Sequence, residues 1–181
     1  MRGGLRQPPV HLVGSCSMMR GMKLRHEISY DAALADVFAM LSDPAFRQAS
    51  ADAMGVISAD VTITPAGEGI SVRIDQVQPT EGVPGFAKRF AGETTRAVQT
   101  EEWDSPAGGS ITIETPGKPT SIRGTLSLTE SGGRTTETME VEVKVKVPLI
   151  GGKLESLMAD LVSQGMDKEQ VAGAAWLKEN S

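Results

Sequence analysis

Cysteine is almost missing from these 181 residues. Cys16 stands alone, so no internal disulfide can form, which fits a reducing compartment and makes a cytoplasmic protein the expectation. Histidine is nearly as scarce, with His11 and His26 only. Two histidines far apart and one cysteine offer no zinc-type spacing, so no metal is expected. Gly-x-Ser-x-Gly, Gly-x-Gly-x-x-Gly and the phosphate-loop pattern are absent, so nucleophile-elbow chemistry and nucleotide cofactors lose their usual signatures, and no cofactor is expected. Gly67-Glu68-Gly69 reads as a hairpin turn. Aromatics amount to two Trp, one Tyr and four Phe, which leaves core packing to Val, Ile, Leu, Met and Ala. No apolar run approaches the roughly 18 residues that a membrane-spanning helix needs. Basic charge is also short: 18 Lys and Arg face 23 Asp and Glu. Arg2, Arg6 and Arg20 lie in residues 1–21, where there is no acid, so the rest holds 15 basic against 23 acidic residues, a net −8. An acidic body excludes non-specific nucleic-acid binding, which needs a basic face.

What is present is periodic from residue 22 onward. Residues 1–21, rich in Gly, Pro, Arg and Met, read as an extension ahead of one domain over 22–181. Leu12 to Cys16 loosely resembles a lipobox, but Pro8, Pro9 and His11 break the apolar segment before it, short of the 7–15 residues of a leader's apolar region. Lys23 to Tyr30 alternates, with Leu24, His26 and Ile28 on one side, and predicts a strand. Asp31 is the expected N-cap of a short helix carrying Leu34, Val37, Phe38 and Leu41. Ser42-Asp43-Pro44 starts a second helix, which ends at Gly55.

From Val56 the period is two. Ile57 to Thr64 reads as a strand ended by Pro65. The next strand alternates Ile70, Val72 and Ile74 with Ser71, Arg73 and Asp75, so the two should form a hairpin. Pro79 to Gly92 breaks the pattern with a loop or short helix containing Val83 to Phe90. Strands follow at Glu93–Trp103, around Ile111 and Ile113, at Ser121–Glu130, and at Thr135–Val147. In the last, Met139, Val141, Val143, Val145 and Val147 alternate with Glu140, Glu142, Lys144 and Lys146. One apolar and one polar face predict an antiparallel sheet with a wet side. Whether Arg73, Asp75, Arg96 and Glu102 point inward depends on a register that a one-residue slip would invert.

Pro148 and Gly151-Gly152 then end the strand pattern, and the period becomes about 3.6. Leu154, Leu157, Met158, Leu161, Val162, Gly165, Ala172, Ala175 and Trp176 fall in one arc of about 140°, predicting an amphipathic helix of about 24 residues. Lys168 lies at the edge of that arc and Glu169 inside it. One strand, two short helices, six strands and a long helix make an α+β chain with helices on one face of the sheet.

This order resembles the helix-grip fold of the START-like, Bet v 1-like superfamily of polyketide cyclases and lipid-transfer proteins, in an uncharacterised, mostly actinobacterial branch. The resemblance runs from about Met22 to Leu177. It is carried by Val145-Lys146-Val147-Pro148-Leu149-Ile150-Gly151-Gly152-Lys153-Leu154-Glu155 and by Phe38-Ala39-Met40-Leu41-Ser42-Asp43-Pro44-Ala45-Phe46-Arg47. It implies a seven-stranded curved antiparallel sheet in β-α-α-β6-α order around the long helix, with a cavity between them. Inward positions dominated by Val, Ile, Ala, Gly and Thr agree, since small side chains fill such a cup poorly. Met54, Met139, Met158 and Met166 offer adaptable walls. The expected ligand-facing residues are Ile74, Phe86, Phe90, Trp103, Met139, Met158, Leu161, Val162, Gly165 and Met166.

Catalytic candidates are few. His26 on an inward strand face could act as a general acid or base, although such histidines are more often simply hydrogen-bonded. Glu169 could orient a polar ligand group or act as an acid if desolvated; the plainer reading is a solvated glutamate where the helix outruns the sheet. Val83 to Phe90 could form an apolar lip, or its two phenylalanines could plug the core. The expected role is binding or transport of a lipid-like or other hydrophobic small molecule. The alternatives are a polyketide-cyclase-like enzyme and a ligand-free protein-interaction module. A hydrophobic small molecule is the expected partner; the sequence is also compatible with a homodimer.

Overall fold

In the computed structural model, residues 21–180 are described. Strand β1 (Met22–Tyr30) leads to helices α1 (Leu34–Leu41) and α2 (Pro44–Met54). The hairpin β2 (Ser58–Ala66) and β3 (Gly69–Pro79) precedes a short helix α3 (Gly85–Ala91). Strands β4 (Thr94–Ser105), β5 (Gly108–Glu114), β6 (Thr120–Ser131) and β7 (Arg134–Val145) follow, and α4 (Gly151–Glu179) closes the chain. All seven strands form one antiparallel sheet in the order β1-β7-β6-β5-β4-β3-β2. The first strand therefore pairs with the last, and every other pair of neighbours is also consecutive in sequence. The extension expected over residues 1–21, including the lipobox-like stretch, lies outside the described residues except for Gly21, whose amide donates to Glu142 at 3.1 Å.

Local rules explain most boundaries. The Asp43 carboxylate accepts from the Ala45 amide at 2.8 Å, Pro44 occupies the first turn, and Gly55 ends α2 at φ 79°. That is the expected cap, proline and left-handed stop. Asp31 does not cap α1, contrary to expectation. Ala33 is the N-cap residue, and the Glu130 carboxylate accepts from the Leu34 amide at 2.8 Å from across the fold. Asp31 points outward, 3.6 Å from Arg134. Strand β2 continues through Pro65 to Ala66 rather than stopping at Pro65, because it is an edge strand and one of its N–H rows needs no partner. β7 ends at Val145, so Val147 lies beyond it.

Helix α4 is 29 residues long, more than the 24 expected, and about 43 Å at 1.5 Å per residue. Gly151 and Gly152 form its first turn instead of preceding it. The turn is made by the exposed Leu149 at φ 68°, a left-handed conformation that leucine seldom adopts. The helix packs on β1, β7, α1 and α2. Its buried residues Ala159, Met166 and Gly173 recur every seventh position, a narrower contact line than the expected arc, so Ala175 is exposed. A Cβ at Gly173 would lie 2.6 Å from Tyr30 Cε1, so the helix crosses β1 at a distance only glycine permits. The main core joins Ile28, Leu41, Phe46, Val72, Trp103, Leu128 and Val143. A smaller cluster of Ala87, Val145 and Leu154 pins α3 to the start of α4.

Candidate functional site

Between α4 and the concave face of the sheet lies a cavity of about 240 Å³. Its middle is aliphatic. Ile74, Ala97, Ile113, Ile122, Leu126 and Met139 line it from the sheet, and Leu157, Met158, Val162, Gly165 and Met166 from α4. Val83, Ala87 and Phe90 close it on the α3 side. Leu161, 47% exposed, is also in the lining, so the apolar wall reaches solvent along α4. The cavity exists because the sheet curves around a helix whose facing residues include glycine and because the lining strand positions carry no aromatic side chain.

Of the residues expected to face a ligand, Ile74, Phe90, Met139, Met158, Leu161, Val162, Gly165 and Met166 line this cavity, whereas Phe86 and Trp103 do not. Phe86 is 38% exposed on the flank of α3, because Ala87, Phe90 and Ala91 take the inward side of that short helix. Trp103 is buried beneath α1, edge-on to Phe38 with ring centroids 5.7 Å apart. It supports the site from behind through Glu101.

The α2 end of the cavity is polar. Arg47, 3% exposed, and Glu101, 1% exposed, form a two-pronged ion pair at 3.1 and 2.7 Å. Glu101 also accepts from Gln99 at 2.6 Å and from the Trp103 indole at 2.7 Å, and Arg47 Nε donates to the Leu41 carbonyl at 2.7 Å. Both members are thus held by hydrogen bonds on every side, the condition a buried ion pair needs. Two further carboxylates share the space. Glu169 accepts from the Ser50 hydroxyl at 3.2 Å, and Glu137 Oε2 is buried without a partner. Burial raises the Glu137 carboxyl well above the ordinary carboxylate range; the Glu169 and Glu101 charges add to this, and Arg47 opposes it. Burial also raises Glu169, with Glu101 adding and with Arg47 and the Ser50 hydroxyl opposing. Tyr30 OH is a second orphan nearby, and burial and the charges of Glu169 and Glu137 raise its phenol. Three carboxylates and one guanidinium in a desolvated corner favour protons on the carboxyls that have no cation.

Glu169 is therefore not a solvated residue on an overhanging helix end: α2 covers it through Ser50. His26 faces the inner side of β1, but its Nε2 sits 2.8 Å from Asp167 Oδ1 at the protein's edge, and it is absent from the cavity lining. Arg73, Asp75, Arg96 and Glu102 all point outward. Asp75 bonds both Arg96 and Arg73, which hold its carboxyl below the ordinary range, and Glu102 accepts from Ser71 at 2.8 Å. The opposite end of the cavity carries smaller polar groups. Thr95 and Thr120 each present a buried hydroxyl oxygen without a partner, and Lys118 bonds the Phe90 carbonyl at 2.7 Å with its Nζ 5.2 Å from the Phe90 ring centre. Among the described residues no group of His, Cys, Asp and Glu is arranged to hold a metal. No helix among them is long and apolar enough to cross a membrane.

Sequence reasoning missed Arg47, Glu101 and Glu137. Counting back by two from Met139 places Glu137 inward, and counting back from Trp103 places Glu101 inward. Arg47, Ser50, Ala51 and Met54 lie at i, i+3, i+4 and i+7 on one face of α2, which is the face lining the cavity.

A curved antiparallel sheet gripping a long terminal helix above such a cavity is the helix-grip fold. Three solved structures share the fold. A Thermus thermophilus protein superposes with a TM-score of 0.63 at 18% identity, covering 88% of this chain and 99% of that one. The di-domain ARO/CYC StfQ of the steffimycin biosynthetic pathway gives 0.60 at 10% identity over 89% of this chain and 52% of its own. A START superfamily protein of Mycobacterium smegmatis gives 0.55 at 12% identity, over 89% and 100%. In sequence, residues 25–177 match the model of DUF2505, described as a protein of unknown function, and the chain belongs to that family. An uncharacterised Mycobacterium tuberculosis protein is 30% identical over 112 residues, which is 58% of this chain and 64% of that protein's length.

Proposed function

We propose that this protein binds a hydrophobic small molecule with one polar end in the cavity under α4. The observation that carries this reading is the pairing of an aliphatic chamber with a buried polar corner that contains an unpartnered carboxylate oxygen on Glu137. Ligand pockets typically combine mostly apolar walls with a few placed polar groups. The fold shared with a START superfamily protein supports the reading by analogy.

Gly165→Leu tests it. Gly165 lines the cavity, and a Cβ there meets nothing nearer than Met54 Sδ at 3.7 Å. A leucine would project into the chamber, and replacing a mid-helix glycine should by itself favour α4 by up to about 1 kcal/mol. The expected result is a folded variant that no longer takes up an apolar fluorescent probe that the parent protein binds. Uptake equal to the parent's would refute a ligand site there.

The di-domain ARO/CYC relative in fold keeps a second reading open, a cyclase-like enzyme using cavity acids. Glu137 and Glu169, both biased toward the protonated form, are the residues placed to donate a proton inside the chamber. Turnover that disappears in Glu137→Gln while ligand uptake persists would favour it.

A further inference from the structure

The charge balance at the α2 end of the cavity narrows the chemistry of the ligand's polar end, on the premise that the cavity binds a hydrophobic molecule at all. Five elements face this corner. β1 contributes Tyr30, α2 contributes Arg47 and Ser50, β4 contributes Glu101, β7 contributes Glu137, and α4 contributes Glu169. Each nitrogen of the one guanidinium already has a partner: two hold Glu101, and Nε holds the Leu41 carbonyl. Glu101 is equally committed, to Arg47, Gln99 and Trp103. That leaves Glu169, held only by Ser50, and Glu137, whose buried Oε2 has no donor at all. The corner thus has carboxyl oxygens to spare and no uncommitted cation.

We propose that the polar end of the cavity's ligand is a protonated amine, seated between the carboxyl groups of Glu137 and Glu169. An ammonium carries three N–H donors and no acceptor, which matches what these two side chains lack. An anionic head would bring a negative charge into a desolvated corner whose one cation, Arg47, is already balanced by Glu101. A hydroxyl would satisfy one of these oxygens but would draw no charge from either carboxyl. Lys118 does not reverse this choice, because it belongs to the opposite, α3 end of the cavity, where it bonds the Phe90 carbonyl.

The proposal includes a proton balance. Burial and Glu169 favour a protonated Glu137 carboxyl in the empty cavity. An alkylammonium is already protonated near pH 7, since its pKa lies around 10, as for lysine. When it arrives, the carboxyl proton is displaced to solvent, and an ammonium–carboxylate pair forms. Binding should therefore tighten as pH rises above the ordinary carboxylate range.

The experiment is calorimetric titration of the full chain with decylamine, decanol and decanoate, in two buffers of different ionisation enthalpy. Decylamine is expected to bind at least about tenfold tighter than decanol, with decanoate weakest and with net proton release for the amine alone. In the near-isosteric Glu137→Gln/Glu169→Gln variant the preference for the amine should fall below about threefold while decanol binding persists. The preference of the unaltered protein for decylamine over both other ligands provides the test if that variant does not fold. Equal or tighter binding of decanol or decanoate overturns the amine assignment and leaves the hydrophobic-ligand reading standing. Failure of all three, together with the apolar probe, to bind the parent protein overturns both.

Discussion

Replacing Glu101 by Gln is the sharpest single perturbation of this fold. The side chain keeps its shape and one acceptor oxygen, but it loses its charge and turns an NH2 toward groups that are themselves donors. Glu101 accepts four hydrogen bonds, two of them from Arg47. Its loss leaves a guanidinium that is 3% exposed without its counter-ion. Removing one partner of a buried pair costs about 3–5 kcal/mol. For a domain of this size that is roughly 6–20 °C in melting temperature, at about 2–4 °C per kcal/mol. Glu137 and Glu169 can soften the loss, because either can surrender its proton and take up part of Arg47's charge. The loss is therefore expected to be smaller at pH 8 than at pH 4.5, where carboxyls raised by burial above the ordinary range keep their protons. Removing both partners together, as Arg47→Met with Glu101→Leu, should cost less than the two single changes added. Urea unfolding followed by circular dichroism at both pH values measures these differences. A loss under about 1 kcal/mol for Glu101→Gln, or strict additivity in the double variant, would refute the claim that this pair is energetically coupled.

Other outcomes follow from the same corner and its neighbours. Glu137→Gln should raise stability at pH 7–8 and flatten its pH dependence. A carboxyl whose folded pKa lies above the unfolded value contributes stability below the unfolded pKa, and loses it as pH rises through the folded one. Melting temperatures from pH 4.5 to 8.5 check this, and a parallel shift at every pH would contradict it. Tyr30→Phe deletes a buried hydroxyl without a partner, so unfolding experiments should find it neutral or stabilising by up to about 1–3 kcal/mol. Gly173→Ala should cost about 1–3 kcal/mol, because the new methyl meets the Tyr30 ring. His26→Ala should change ligand uptake little and stability by less than about 1 kcal/mol, since its hydrogen bond with Asp167 is at the surface.

The architecture was readable because it rests on periodicity and punctuation, which are local. Val141, Val143 and Val145 alternating with Glu142 and Lys144 identify the strand, and Asp43-Pro44 and Gly55 bracket α2 without tertiary information. The start of α4 was misread because Gly151-Gly152 resembles a turn. In the fold, Leu149 makes the turn, and Gly151 lets the helix approach the Val145 carbonyl, 2.7 Å from where a Cβ would sit. The apolar part of the cavity was legible for the same reason as the sheet: Ile74, Met139 and Met158 sit where alternation and helical spacing put them. The polar corner was not, although parity pointed at it. Glutamate in a strand reads as surface on hydropathy, and it takes the register of the whole strand to overrule that. Arg47, Glu101, Glu137 and Glu169 also come from four separate elements, and no local pattern shows that these will meet.

Their meeting is informative because it runs against stability. The exposed ion pairs of Arg25, Arg73, Arg96 and Arg123 sit in water, where such contacts are cheap to keep and worth little. The buried corner is different. A well-packed apolar replacement for an ion pair is often neutral or stabilising, and an unpartnered carboxyl beside it adds a desolvation cost with no compensating bond. A fold selected for stability alone would fill this corner with the Leu, Val and Met that line the rest of the chamber. Glu137 and Glu169 instead line the cavity. Perturbed carboxyls collected at one end of a cavity, rather than scattered through the core, are what a binding or proton-transferring site requires. The combined Glu137→Gln/Glu169→Gln variant should therefore melt higher than the parent at pH 8 and yet recognise an amine-headed ligand less well. Loss of both stability and binding would mean that these acids are structural.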